Sequence, residues 1–185
     1  MLQVVTMRIN IWGSPGVGKS TIACKIFSHL KADGYNIELV LEYIKKWTYI
    51  DRMPQGFDQY YISAKQMHRE YIALSAGFDH IVTDCPVLLN CFYAEYCNLS
   101  FSKSLIDIAL EFEKKYPSFN IFVKRHNRRH SDIARFHNEK ESLEIDAKLK
   151  QFVEKYNFFP IIEWDLTNEK NFEERYWKIK YRLER

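Results

Sequence analysis

Glycine and proline are scarce in this chain, with six and five residues among 185. That scarcity excludes a collagen-like or low-complexity repeat and leaves few places where the backbone can turn tightly. No apolar run reaches the length of a membrane span, and Met1 to Asn10 lacks the pattern of a signal peptide. The four cysteines, Cys24, Cys85, Cys91 and Cys97, contain no C-x-x-C pair, which argues against a zinc ribbon or a disulfide scaffold. A reduced, cytoplasmic chain with no membrane partner is the expectation. A strong charge of one sign is also missing, because 27 Lys and Arg face 24 Asp and Glu for a formal net charge of +3. That balance permits a polyanionic partner without demanding one. No repeat, linker or biased stretch divides the sequence, so residues 1–185 are read as a single domain.

What is present is an alternation of short apolar runs with helical periodicity. The runs Arg8 to Trp12, Asn36 to Leu41, His80 to Thr83, Asn120 to Lys124 and Phe159 to Trp164 predict strands. Between them, Ile22, Ile26 and Leu30 recur every four residues and predict a helix with one apolar face. Ala64, Met67, Tyr71 and Leu74 do the same over Asp58 to Ala76, with Gly77 as its C-terminal stop. Leu105, Ile108 and Phe112 mark another helix; Ile145, Leu149, Phe152 and Tyr156 the next; Phe172, Tyr176, Ile179 and Leu183 the last. Strands with helices between them predict an α/β fold, an open doubly wound sheet of about five parallel strands with flanking helices.

Half of the glycines sit together. Gly13-Ser14-Pro15-Gly16-Val17-Gly18-Lys19-Ser20 matches G-x-x-x-x-G-K-[ST], follows a predicted strand and opens a predicted helix. This is the P-loop pattern, and each residue type has a physical task. The glycines let backbone N–H groups of the loop approach phosphate oxygens, and the helix N-terminus adds partial positive charge. Lys19 is placed to neutralise the β- and γ-phosphates of ATP, Ser20 to hold Mg2+, and Thr21 to contact an earlier phosphate.

Other absences narrow the class. Ile81-Val82-Thr83-Asp84 is an apolar strand ending in a carboxylate, where a magnesium-organising aspartate belongs. Cys85 and Pro86 follow it, so no glutamate is there to polarise water as in motor-type ATPases, and the guanine-reading Asn-Lys-x-Asp pattern of GTPase switches does not occur. Both absences favour transfer to a bound acceptor over hydrolysis. The strand Ile37 to Leu41 leads into Glu42, a carboxylate positioned to take a proton from an attacking hydroxyl. Glu42 and Asp84 can exchange roles, since both end strands beside the P-loop.

These segments carry a resemblance. Leu41-Glu42-Tyr43-Ile44-Lys45-Lys46-Trp47 resembles the glutamate-proline-x-x-x-tryptophan segment of deoxynucleoside kinases, with Tyr43 in place of the proline. Thr83-Asp84-Cys85-Pro86 and then Cys91-Phe92-Tyr93-Ala94 are similar to that family's acid-arginine-serine segment and following helix, without the arginine. Phe57-Asp58-Gln59-Tyr60 resembles its phenylalanine-glutamine segment. The resemblance implies that Glu42 is the base for a sugar hydroxyl, that Trp47 lines a nucleoside pocket and that Gln59 reads the base, with Gln66 a second candidate. It also implies an arginine-bearing lid at about 125–138, where Arg125, Arg128 or Arg129 closes over the transferring phosphoryl group. Small phage-encoded P-loop kinases look similar in organisation, and some of them act on hydroxymethylated pyrimidines within DNA.

The expectation is therefore an ATP- and Mg2+-dependent kinase acting on a nucleoside- or nucleotide-type acceptor. DNA as acceptor and a regulatory ATPase stand as alternatives, and a homodimer is compatible with the sequence. A metal site at His126, His130 and His137 is set aside, because no Cys, Asp or Glu completes the ligand spacing.

Overall fold

A computed structural model of the chain describes residues 6–125, 136–157, 161–164 and 170–184. In chain order the elements are β1 (Met7–Trp12), α1 (Lys19–Ala32), β2 (Ile37–Val40), α2 (Lys45–Thr48), α3 (Asp58–Ser75), β3 (His80–Thr83), α4 (Val87–Tyr96), α5 (Ser102–Lys115), β4 (Ser118–Val123), α6 (Glu139–Lys155), β5 (Ile161–Trp164) and α7 (Lys170–Leu183). The strands form one parallel sheet in the order β2-β3-β1-β4-β5, with Ile9 opposite both Val82 and Phe119. This is the doubly wound α/β sheet that the alternating pattern predicts.

β1 lies at the centre and is buried on both faces, which explains its nearly unbroken apolar run. Ile9 and Ile11 join the core beneath α1 and α7, where Ile22, Ile26, Leu30, Phe172, Tyr176, Ile179 and Leu183 are all buried. Trp12 turns into the second core, against Leu88, Phe92, Ile145, Leu149 and Phe152 of α4 and α6. Its indole N–H donates to Asn120 Oδ1 at 2.8 Å.

Two helices depart from the expected faces. In α3 the buried stripe contains Gln59, Ser63, Gln66 and Glu70 beside Ile62, Ala73 and Leu74, whereas Ala64 is exposed and Tyr71 is 44% exposed. The stripe can be polar because it meets charge. Arg8 on β1 is fully buried and donates to Glu70 Oε2 at 2.7 Å, to the carbonyl of Tyr116 at 2.7 Å, and to Glu113. An arginine forced inward by the β1 pleat needs such partners, since an unpaired buried charge costs several kcal/mol, about 3–5. In α5 the buried residues are Leu105, Ile106 and Ala109, and Ile108 is exposed instead of inward. Its neighbour α4 is buried almost all round, including Val87, Leu88, Leu89 and Phe92, so it has no periodic stripe to reveal it as a separate helix.

Four of the five strands are followed at the carboxyl edge by a residue of interest: Gly13 after β1, Glu42 after β2, Asp84 after β3 and Arg125 after β4. Parallel sheets bind ligands at this edge, where the strand order reverses on either side of β1.

Candidate active site

The loop between β1 and α1 is a phosphate-sized cradle by its own geometry. Gly13 has φ +146°, and a Cβ there would stand 2.7 Å from Val17 Cγ2 and 3.2 Å from the Val123 carbonyl. Only glycine lets β4 and the loop approach so closely. Gly18, at φ 100°, caps α1 without a side-chain hydrogen bond, and no acidic residue lies in the first turn. The helix N-terminus therefore presents amide N–H groups that no cap side chain or first-turn carboxylate of α1 takes up. Lys19 Nζ donates to the Ser14 carbonyl at 3.0 Å, which keeps its charge beside the loop. Thr21 is exposed, one residue further along the helix.

Asp84 joins the loop to the neighbouring strands. It is 2% exposed; its Oδ2 accepts from the Ser20 hydroxyl, and its Oδ1 accepts from the Glu42 amide at 2.7 Å. Ser20 and Asp84 thus bring two hard oxygen donors together beside Lys19, the donor type that Mg2+ takes, so the residues fit that ion. The same carboxylate fixes the backbone of Glu42.

Gln66 fixes the next residue. It is fully buried, its Oε1 accepts from the Tyr43 amide at 2.9 Å, and its Nε2 donates to Thr83 Oγ1 at 3.4 Å. Gln66 is not among the residues lining the cleft described below, so the structure places it behind Glu42. Glu42 is held from both sides: its own N–H by Asp84, that of Tyr43 by Gln66.

A cleft with a cavity of about 150 Å³ opens beside these residues. Pro15 and Lys19 of the P-loop line it together with Glu42, and Gln59, Asn90, Tyr93 and His137 line it with Met53 and Leu99. Gln59 is 9% exposed, and its Nε2 donates to the Asn90 carbonyl at 2.9 Å, which orients the amide. Trp47 lies elsewhere: Arg52 covers its ring at 4.0 Å, and Tyr61 stacks on it at 6.4 Å. Its position outside the cleft follows from α2, a helix of one turn that the sequence pattern did not reveal.

Burial holds the thiol that follows Asp84 and the Tyr93 phenol of the cleft in their neutral forms. Burial pushes the Cys85 thiol well above its usual range, and the charges of Glu42 and Asp84 add to this. Burial likewise raises the Tyr93 phenol, with Glu42 reinforcing it, so Tyr93 stays a neutral hydroxyl. Burial lowers the His137 imidazole, which stacks parallel to Tyr93 at 6.1 Å.

Arg125 sits on the P-loop shoulder. Its Nε donates to Asp146 Oδ2 at 2.7 Å, and its Nη2 donates to the Pro15 carbonyl at 2.7 Å and to Ser14 Oγ. Arg128 and Arg129 lie outside the described residues, as does most of the expected lid. Asn90 and Asp146 were not singled out from the sequence. Asn90 falls within an uninterrupted apolar helix, and Asp146 is one carboxylate among several on α6.

A parallel sheet of this order, with a glycine-rich loop and lysine between β1 and α1, defines a P-loop NTPase-type α/β protein. Residues 8–175 match the family model described as an AAA domain, and the chain belongs to that family. Among solved structures it is similar to the NadR protein in complex with NR, with a TM-score of 0.59 and 15% identity over 89% of this chain and 44% of that one. The chain thus spans less than half the length of that protein. It is also similar to a deoxyadenosine kinase from M. mycoides with bound dATP, with a TM-score of 0.57 and 16% identity over 97% of this chain and 100% of that one. At such identities the likeness is one of fold, a P-loop kinase-like fold. No curated protein matches the chain in sequence.

Proposed function

We propose that the protein is an ATP-dependent kinase that transfers the γ-phosphoryl group to a hydroxyl of a nucleoside-like acceptor. The observation that carries this reading is the single cleft lined by both Lys19 and Glu42, with Glu42 fixed by Asp84 and Gln66. Lys19 and the loop amides bind and orient the phosphates. Glu42 removes the acceptor proton as the new O–P bond forms and the bond to the ADP leaving oxygen breaks. Ser20 and Asp84 would hold Mg2+, which would supply charge neutralisation to the phosphates. Gln59 and Asn90 offer amide groups to the acceptor, and Tyr93 and His137 offer ring faces. The fold shared with a deoxyadenosine kinase agrees with a nucleoside-like acceptor. All four cysteines are free, and no helix among the described residues is long and apolar enough to cross a membrane, which agrees with the cytoplasm as location.

A second reading has its own observation. Cations cover aromatic rings that lie close along the chain to cleft-lining residues, with Arg52 on Trp47, Lys65 on Tyr61 at 5.5 Å and Arg69 on Tyr43 at 5.1 Å, and Phe57 is 77% exposed. A rim of rings and cations suits a nucleic-acid strand that presents the acceptor base. Labelled ATP incubated with pooled nucleosides, pooled nucleotides and hydroxymethylated DNA separates the readings. Label in a nucleoside supports the first, and label in DNA with affinity that falls steeply with salt supports the second. Label released only as free phosphate overturns both in favour of a regulatory ATPase.

A further inference from the structure

Arg125 and Asp146 close a small ring over one residue of the P-loop. Ser14 is fully buried and is held at three atoms. Its N–H donates to Asp146 Oδ1 at 3.4 Å, its Oγ accepts from Arg125 Nη2, and its carbonyl accepts from Lys19 Nζ at 3.0 Å. Arg125 also takes the next carbonyl, that of Pro15, at 2.7 Å. The Arg125–Asp146 pair is itself largely sheltered, with side-chain exposures of 17% and 18%.

A carboxylate beside a loop that binds triphosphate needs a physical reason, because it repels the ligand the loop serves. The reason on hand is Arg125. The arginine follows a strand end, on a stem with several rotatable bonds, and nothing on β4 itself fixes its fork. Asp146 does so through the Nε, leaving Nη2 to grip the loop, while Nη1 makes no hydrogen bond among the described residues. Holding the fork in advance spares the ordering cost when phosphate arrives. The pairing also ties the P-loop to α6, and Phe136 and His137, just before that helix, line the cleft.

We propose that Asp146 is a positioning residue: it seats the Arg125 guanidinium on the P-loop and thereby sets the affinity of the loop for the donor triphosphate. The inference rests on the donor half of the reading above and needs no acceptor. Its test is a double-mutant cycle on the full chain, with Mg2+–ATP binding measured by calorimetry for the wild type, Asp146→Asn, Arg125→Gln and the double variant. Each single change is expected to weaken binding about tenfold, the scale of one charge-assisted hydrogen bond. The double variant is expected to bind no worse than Arg125→Gln alone, since Asp146 then has nothing to seat. Fully additive losses would overturn the proposal, as would unchanged binding in Asp146→Asn. Tighter binding in that variant, the result of simply removing a negative charge, would overturn it too. Should Asp146→Asn fail to melt cooperatively, Asp146→Glu takes its place in the cycle: it keeps the charge but shifts it by a methylene, and the same non-additivity is required. Failure of the wild type to bind the triphosphate would count against the kinase reading itself, a result distinct from an additive cycle.

Discussion

The two ends of the cleft are built differently. The donor end is one continuous segment, Gly13 to Ser20, in which neighbouring residues supply the turn, the amides, the ammonium and the hydroxyl. The acceptor end is assembled from four separated places: the exit of β2, the buried stripe of α3, the first turns of α4 and the approach to α6. Backbone conformation dominates the first, so sequence spacing alone specifies it. Tertiary packing dominates the second, where Asp84 and Gln66 hold the backbone of Glu42 and Tyr43.

Changing Lys19 to Ala tests the donor end and carries the largest expected effect. Turnover should fall by about 10³-fold or more, with ATP affinity lost as well, because a cation fixed at the phosphates is worth several kcal/mol in a water-poor site. Near-normal turnover would remove the P-loop from the chemistry. Glu42→Gln tests the acceptor end, and its expected signature is a split. Turnover falls on the order of 10²-fold if the acceptor is a hydroxyl, while ATP binding by calorimetry stays near that of the wild type. A small fall would point to a phosphate acceptor, which has no proton to give up. Equal losses in turnover and ATP binding would dissolve the division between the two ends.

Gln66→Leu is expected to act more weakly, through position alone. The buried Tyr43 amide loses its acceptor, which costs about 1–3 kcal/mol in denaturant unfolding, and turnover drops by roughly tenfold. Both effects should appear without a change in ATP affinity. The smallest effect concerns pH. Burial pushes the Glu70 carboxyl up to about 7 against the pull of Arg8, and its Oε1 has no hydrogen-bond partner within normal distance among the described residues. A carboxyl whose folded value lies above its unfolded value favours the folded state at low pH. Its contribution is full below the ordinary carboxyl range and is lost as pH rises through about 7. Melting temperature measured from pH 5 to 8 should therefore decline more steeply in the wild type than in Glu70→Gln. Parallel profiles would mean that Arg8 compensates the charge fully.

What the sequence revealed follows the same division. The strands were legible because parallel strands buried on both faces read as apolar runs, and β3 falls at His80–Thr83 as the run does. The faces of α1, α6 and α7 were legible because apolar residues line their buried sides. The face of α3 was not, since Gln59, Ser63, Gln66 and Glu70 lie inside it and a hydrophobic pattern counts them as outside. The resemblance to deoxynucleoside kinases made Gln66 a second candidate, after Gln59, for reading the base, and the structure turns it toward the backbone of Tyr43. The same resemblance implied that Trp47 lines the pocket, but one turn of helix carries it away to Arg52 and Tyr61. Asp146 left no trace in spacing at all, because its partner Arg125 is on another element and the contact exists only in three dimensions.

Trp12 gives the molecule an optical handle. It is fully buried, its indole bonds to Asn120, and it directly precedes Gly13, whereas Trp177 is 62% exposed on the outer side of α7. An indole sealed from water emits toward the blue, and an exposed one emits toward the red, so Trp12 and the 2% exposed Trp164 separate by wavelength from Trp177. Any shift of the loop on nucleotide arrival is transmitted through one peptide bond to Trp12, one of these blue emitters. The native chain, without a label, is suited to report donor binding by its own fluorescence in a stopped-flow cell.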